Sequence, residues 1–292
     1  LDEALADRLT NGQPAIETLV LTSADGTASH MVEVAVTGTN DTPVVEETGF
    51  QSRGLVITNA TYGGGDGVLL PNLGISDKTS VTVDMEFSWS ATPDFQILFG
   101  FSLFDLAIKS LGSGQIGLGF NTGSGDLFGV SRSDLDDGPH RVTAVFVAGN
   151  VPASRLYIDG VEQTLSQLLG TPHTPNAQIT DTPVIGGWSI NPYFWFTGTI
   201  DAVSIWAGNR TPEETAIGPA AILASGEGIV AAYTFEDPVG TRTVADVSNI
   251  GHTGTLVRGA TLGPVQWAPT VTALTEDGST HAGGTLNIVD PD

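Results

Sequence analysis

Val81-Thr-Val-Asp-Met-Glu-Phe-Ser-Trp89 alternates without a break. Successive side chains of an extended strand point to opposite faces. Val81, Val83, Met85, Phe87 and Trp89 therefore share one side, and Thr82, Asp84, Glu86 and Ser88 the other. A strand written this way is half-buried: an apolar face waits for a second layer and a polar face looks outward. The rest of the chain is written in the same style. Hydrophobic residues make up 40% of 292 positions, but they come in short runs broken by Gly, Asn, Asp and Pro, the pattern of many strands and turns. The expected fold class is all-β. One helix signal stands out, Thr211-Pro-Glu-Glu214, with Thr as cap, Pro at the first helical position and Glu214 closing a capping box. Gly218-Pro219 should end that helix early.

The chain carries 33 acidic against 10 basic side chains, a formal charge of −23. Such a field repels nucleic acid and anionic lipid and offers many carboxylates as hard oxygen ligands, so Ca²⁺ is the cofactor it invites. An acidic surface that simply keeps the protein in solution accounts for the same excess. No cysteine is present, which removes disulfides, zinc thiolate sites and thiol catalysis together. No apolar stretch reaches the length of a membrane span. Leu1 to Thr10 is neither basic nor apolar enough for a signal peptide, so the sequence is expected to start inside a longer protein.

The two ends differ from the centre. Ala15–Thr22 and His30–Thr37, joined by Ala24-Asp25-Gly26, read as a β-hairpin. It runs into Thr37-Gly-Thr-Asn-Asp-Thr-Pro43, which resembles the close of the VCBS or cadherin-like repeats of large RTX-type bacterial adhesins. Pro269-Thr-Val-Thr-Ala-Leu-Thr-Glu-Asp277 and Gly284-Thr-Leu-Asn-Ile-Val-Asp-Pro-Asp292 look like the opening half of the same repeat. The resemblance implies three parts: 1–45 as a closing half, 46–267 as a central domain and 268–292 as an opening half. A lone hairpin is marginal in water, so the two ends are expected to pair into one split immunoglobulin-like module.

Three central stretches are similar to the laminin-G-like, concanavalin-type jelly-roll family. They are Asp137-Gly-Pro-His-Arg-Val-Thr-Ala-Val-Phe146 with Arg155-Leu-Tyr-Ile-Asp-Gly-Val161; Ile185-Gly-Gly with Phe196-Thr-Gly-Thr-Ile-Asp-Ala-Val-Ser-Ile-Trp206; and Gly228-Ile-Val-Ala-Ala-Tyr-Thr-Phe-Glu236 with Asp246-Val-Ser-Asn-Ile-Gly-His-Thr-Gly-Thr-Leu256. In the last, Ser248-Asn-Ile-Gly251 stands where the family has Ser-Gly-Asn-Gly. The resemblance implies a jelly-roll sandwich with a structural calcium at Asp201, completed by Glu236, Asp237 or Asp246. The plain alternative for Asp201 is an outward-facing strand residue beside Thr199. By analogy with cadherin-like arrays, Asn40 and Asp41 would hold a linker calcium; an Asx turn before Pro43 explains the same residues.

Trp188-Ser-Ile-Asn-Pro-Tyr-Phe-Trp-Phe196 places five aromatics in nine positions, and alternation sends about half of them away from the core. Trp188, Tyr193 and Trp195 are thus candidates for a platform on which sugar rings or peptide side chains stack, with Asp66 of Gly63-Gly-Gly-Asp-Gly67 on the rim. A hydrophobic brace for a long loop is the competing reading. Asp84 and Glu86 stand about 7 Å apart on one strand face, near the spacing of paired glycosidase carboxylates. The longer Glu-x-Asp-x-x-Glu pattern of laminarinase-like enzymes is absent, as Thr82 and Trp89 flank the pair. No phosphate-cradling glycine motif and no metal-protease histidine spacing occurs. These readings combine into one expectation: a calcium-dependent region of an extracellular bacterial surface adhesin. It would bind a glycan or peptide on another surface and join neighbouring repeats of the same long chain in cell adhesion or biofilm attachment. A calcium-stabilised spacer is the second expectation, and a glycoside hydrolase using Asp84 and Glu86 the third.

Overall fold

The computed structural model describes residues 14–37, 44–45, 53–58, 67–89, 95–132, 138–188, 194–215, 228–264 and 288–289. The chain divides into two compact units, Gln51–Pro269 and a second made of Leu1–Phe50 with Thr270–Asp292.

In the second unit Pro14–Thr22 pairs antiparallel with Ser29–Thr37, Val20 opposite Met31. The turn is held by Asp25, which accepts hydrogen bonds from Ser23 Oγ at 2.6 Å and from the Thr27 amide and hydroxyl at 3.1 and 2.9 Å. Gly26 supplies the positive φ that such a turn needs. Val44–Val45 pairs antiparallel with Ile288–Val289, so a strand from each end of the chain meets here.

The larger unit is a sandwich. One sheet has nine strands in the spatial order Ser166–Leu169, Leu127–Arg132, Gln115–Asn121, Asp105–Gly112, Phe95–Gly100, Val184–Ile185, Gly67–Leu69, Gly254–Val257, Thr243–Val244. The other runs Val161–Glu162, Arg155–Ile158, His140–Val147, Ser80–Trp89, Gly198–Ala207, Arg53–Ile57, Thr261–Pro264, with Ile229–Tyr233 also paired to Gly198–Ala207. All strand pairs within these two sheets are antiparallel. The expected all-β jelly-roll class is what the chain adopts.

The core lies between the sheets. Phe146, from the central part of the eight-stranded sheet, meets Phe101, Phe104 and Phe120 edge to face with ring centroids 5.0 Å apart in each pair. That arrangement sets the positive rim of one ring against the negative face of the next. Val81, Val83, Met85, Phe87 and Trp89 all point into this core, as their alternation requires.

The polar face of that strand departs from the half-buried expectation. Thr82 and Asp84 are buried, because the segment after Gly198–Ala207 folds back over them. Thr82 Oγ1 donates to the Gly208 carbonyl at 2.8 Å and accepts from the Arg210 amide at 2.9 Å. The helix Pro212–Thr215 then sits above Asp84, its Thr215 hydroxyl donating to the carboxylate at 2.9 Å. Its capping box is formed: the Thr211 amide donates to Glu214 Oε2 at 2.8 Å.

Candidate functional site

The outer face of the nine-stranded sheet carries the site. Along Asp105–Gly112, Leu106 and Ile108 enter the main core. Asp105, Ala107 and Lys109 therefore take the opposite face. The neighbouring strand sets Asn121 opposite Asp105, Gly119 opposite Ala107 and Gly117 opposite Lys109. Lys109 Nζ nevertheless reaches Asn121 Oδ1 at 2.9 Å, so its stem runs along the strand over the small Ala107–Gly119 pair.

These groups line a pocket of about 210 Å³ with Phe95, Ile97, Trp188 and Phe194. Phe95 and Phe194 pack with ring centroids 4.4 Å apart, and Trp188 lies 6.0 Å from Phe194. Phe194 is 38% exposed, an aromatic face turned to solvent. The amide of Ile97 donates to the Phe194 carbonyl at 2.9 Å, which ties this wall to the sheet.

The floor is polar and buried. Lys109 Nζ donates to Asn121 Oδ1 and, at 2.8 Å, to the Asp126 carbonyl, and it lies 4.0 Å from the centre of the Phe95 ring. Burial pulls its ammonium below the usual lysine range, against the opposing pull of Asp126 and Asp105. Asn121 Nδ2 donates to Asp105 Oδ2 at 3.1 Å. Burial pushes the Asp105 carboxyl well above its ordinary value. Asp126, also fully buried, accepts from the Thr122 amide at 3.0 Å and Ser124 Oγ at 3.1 Å, which shapes the loop beside the pocket. Two polar atoms of the lining, Asp105 Oδ1 and Trp188 Nε1, are buried with no hydrogen-bond partner. Such groups are rare and costly, and a ligand or water is the usual remedy.

Of the residues expected to bind ligand, Trp188 lies in this wall. Trp195 does not form an exposed platform: it is buried, its ring packed so closely on the backbone that a Cβ at Gly67 would stand 2.7 Å from it. Tyr193 and Asp66 lie outside the described residues, as do Asn40 and Asp41. Phe95, Asp105, Lys109 and Asn121 were not singled out by the sequence reading. The signal for Lys109 was present, one of only two lysines in the chain and set in the apolar run Leu106-Ala-Ile-Lys109.

The expected calcium ligands sit elsewhere. Among the described residues no group of three or more His, Asp or Glu side chains is placed to hold a metal ion. Asp246 Oδ1 accepts from the Ala232 and Ser248 amides at 3.0 and 2.9 Å and from Ser248 Oγ at 2.6 Å, and Oδ2 from the Gly251 and His252 amides at 3.1 and 2.8 Å. Burial raises that carboxyl, but these bonds outweigh it and leave its pKa below the ordinary value. N–H groups aimed at both oxygens compete with a cation, so Asp246 does not fit a calcium ligand. Asp237 accepts from the Ala245 amide at 3.1 Å, and Glu236 from the Arg53 amide at 3.1 Å. Asp201 stands at the register shift after Ile200, near Glu86. Burial first, then Asp201 and Asp84, raise the Glu86 carboxyl to about 7.

Asp84 is equally committed. Arg141 grips it through Nε at 3.0 Å and a terminal nitrogen at 3.1 Å, and the hydroxyls of Thr143 and Thr215 complete its shell. The carboxylate anchors the helix over the sheet, and its oxygens are taken up in that role.

No curated protein sequence matches this chain. Among solved structures, a Bacteroides ovatus protein described as carbohydrate-binding aligns at 14% identity over 89% of this chain and 71% of its own, with a TM-score of 0.49. The heptameric SAP-like pentraxin of Limulus polyphemus aligns at 14% identity over 73% and 95%, TM-score 0.44. Domain 4 of an extracellular arabinanase from Geobacillus stearothermophilus, solved with arabinotriose, aligns at 15% identity over 70% and 86%, TM-score 0.38. The Laminin_G_3 family model matches residues 62–216, more than half of the sequence. On that match the chain belongs to the concanavalin A-like lectin/glucanase superfamily.

Proposed function

We propose that the pocket between Phe95, Trp188 and Phe194 binds a carbohydrate, and that the chain serves as a binding region of an extracellular bacterial adhesin rather than as a catalyst. One observation carries the first part: an aromatic wall with an exposed face stands over a buried floor, and Asp105 Oδ1 in the floor and Trp188 Nε1 in the wall lack partners. A sugar ring offers an apolar face for the wall and hydroxyls that both donate and accept for the floor. The family's lectin and glucanase character supports the same ligand class. Binding fits better than hydrolysis because Asp84, one of the two carboxyls spaced for a glycosidase, is held by Arg141, Thr143 and Thr215.

The adhesin setting rests on the Thr37-Gly-Thr-Asn-Asp-Thr-Pro43 string and its partner sequences at the other end. Calcium belongs to the proposal as the ion that stiffens a cysteine-free chain of charge −23, with Asn40 and Asp41 as first ligands and Asp246 left out. A glycan array probed with the full chain, with and without EGTA, tests the reading. Binding to defined glycans that drops at least fivefold in Phe194→Ala supports it; an array without hits, or hits indifferent to Phe194→Ala, overturns the pocket. Calorimetry that registers no Ca²⁺ uptake removes the ion while leaving the pocket in place.

A further inference from the structure

The floor of the pocket holds a lysine, a carboxamide and a carboxyl group in a chemically suggestive order. Lys109 Nζ lies 2.9 Å from one side-chain amide atom of Asn121, and Asp105 Oδ2 lies 3.1 Å from the other. Exchanging the amide's oxygen and nitrogen leaves the three groups in contact. We propose that Lys109 and Asn121 join spontaneously through an isopeptide bond from Nζ to Cγ, with Asp105 as the catalytic proton-transfer residue.

The surroundings suit this reaction. Asp105, Lys109 and Asn121 are 0%, 4% and 1% exposed, so the reacting groups are largely desolvated. The nucleophile must be a neutral amine and the catalyst a neutral acid, and burial drives both groups in that direction. The Phe95 ring on one side and the Asp126 carbonyl on the other hold Nζ in place, which removes most of the orientational cost of attack. In the reaction the Nζ lone pair forms the bond to Cγ and the Cγ–Nδ2 bond breaks. Asp105 gives a proton to Nδ2 as it leaves and takes one back from Nζ. One ammonia is released, no oxidant or metal is consumed, and the carboxyl group is regenerated.

The product is more comfortable than the reactants. Burying an amine and a carboxyl group that both lose the hydration of their charged forms is an expensive arrangement, and a neutral amide in place of the amine relieves it. The remaining N–H of the new bond keeps the Asp126 carbonyl as its acceptor. The link ties strand Asp105–Gly112 to strand Gln115–Asn121 covalently, a staple in a protein that has no cysteine to make one. It stands apart from carbohydrate binding: the staple forms whether or not the pocket takes a sugar.

Mass spectrometry of the denatured full chain is the test. The expected mass is lower than that of the sequence by one ammonia. Trypsin is expected to leave a single peptide, Thr79–Arg132, uncut at Lys109. Lys109→Arg, Asn121→Ala and Asp105→Asn should each restore the full sequence mass. A wild-type chain at full mass, cut into Thr79–Lys109 and Ser110–Arg132, overturns the proposal even if no variant folds. Ammonia loss that persists in Lys109→Arg does so too, since it would mark a cyclised Asn121 rather than a link.

Discussion

The two outer faces of the sandwich each hold a buried carboxyl beside a cationic side chain, yet they are finished differently. On the eight-stranded sheet Asp84 meets Arg141 in a two-pronged pair, and two threonine hydroxyls close the remaining positions. On the nine-stranded sheet Lys109 and Asp105 share an asparagine between them, and an oxygen of Asp105 is left without a partner. A filled shell is what a structural anchor needs, because each unmet group would cost stability. An unfilled one beside exposed aromatic rings is what the proposed ligand or cross-link would complete. The contrast teaches that buried charge marks function only when its hydrogen bonding is incomplete.

Breaking the filled face should have the largest effect. Arg141→Leu leaves Asp84 buried without its cation and should lower unfolding free energy by about 3 kcal/mol, read by urea denaturation. A loss under about 1 kcal/mol would mean that Asp84 is not held as tightly as its geometry implies. Glu86, on the same face, sharpens the comparison through pH. Its folded pKa of about 7 lies above the ordinary 4.5, so the folded state binds the extra proton between those values. That contribution is fully present below pH 4.5 and is lost as pH rises through 7. Glu86→Gln should therefore flatten the fall in stability over this window and gain about 2 kcal/mol at pH 8.

Smaller effects separate anchor from ligand site. Thr215→Val removes one donor to Asp84 and should cost about 1.5 kcal/mol of stability, with glycan affinity unchanged. Phe194→Ala should do the reverse: a half-exposed ring contributes little to folding, but losing its stacking face should weaken glycan binding by about 1 kcal/mol, or roughly fivefold. Equal responses of both variants in both measurements would erase the distinction between the faces.

Much of the architecture was legible from residue order. Alternation placed the inward face of Val81 through Trp89, Thr211-Pro-Glu-Glu214 announced a short capped helix, and Ala24-Asp25-Gly26 marked the hairpin turn. The site was legible only in part. Trp188 was picked out because aromatics crowd its segment, but the same crowding pointed to Trp195, which the glycine backbones of Gly67 and Gly187 accommodate in the interior. Asp246 was named as a metal ligand because the family resemblance implied it, yet five N–H and O–H donors surround it, four of them from residues two to six positions further along the same turn.

What the sequence determined by itself was therefore periodic or local: strand faces, turns, a helix cap, and the jelly-roll class that follows from them. These depend on backbone geometry repeated every two residues or on neighbours within four. For Asp84 and Asp105, tertiary structure alone decided which was finished and which was left open. Asp84 is completed by residues 57 and 131 positions away, and Lys109 reaches an asparagine that only the antiparallel register brings within hydrogen-bond range. Where the partners lie on other strands, satisfaction of a buried group is a property of everything that surrounds it, and no single segment contains that information.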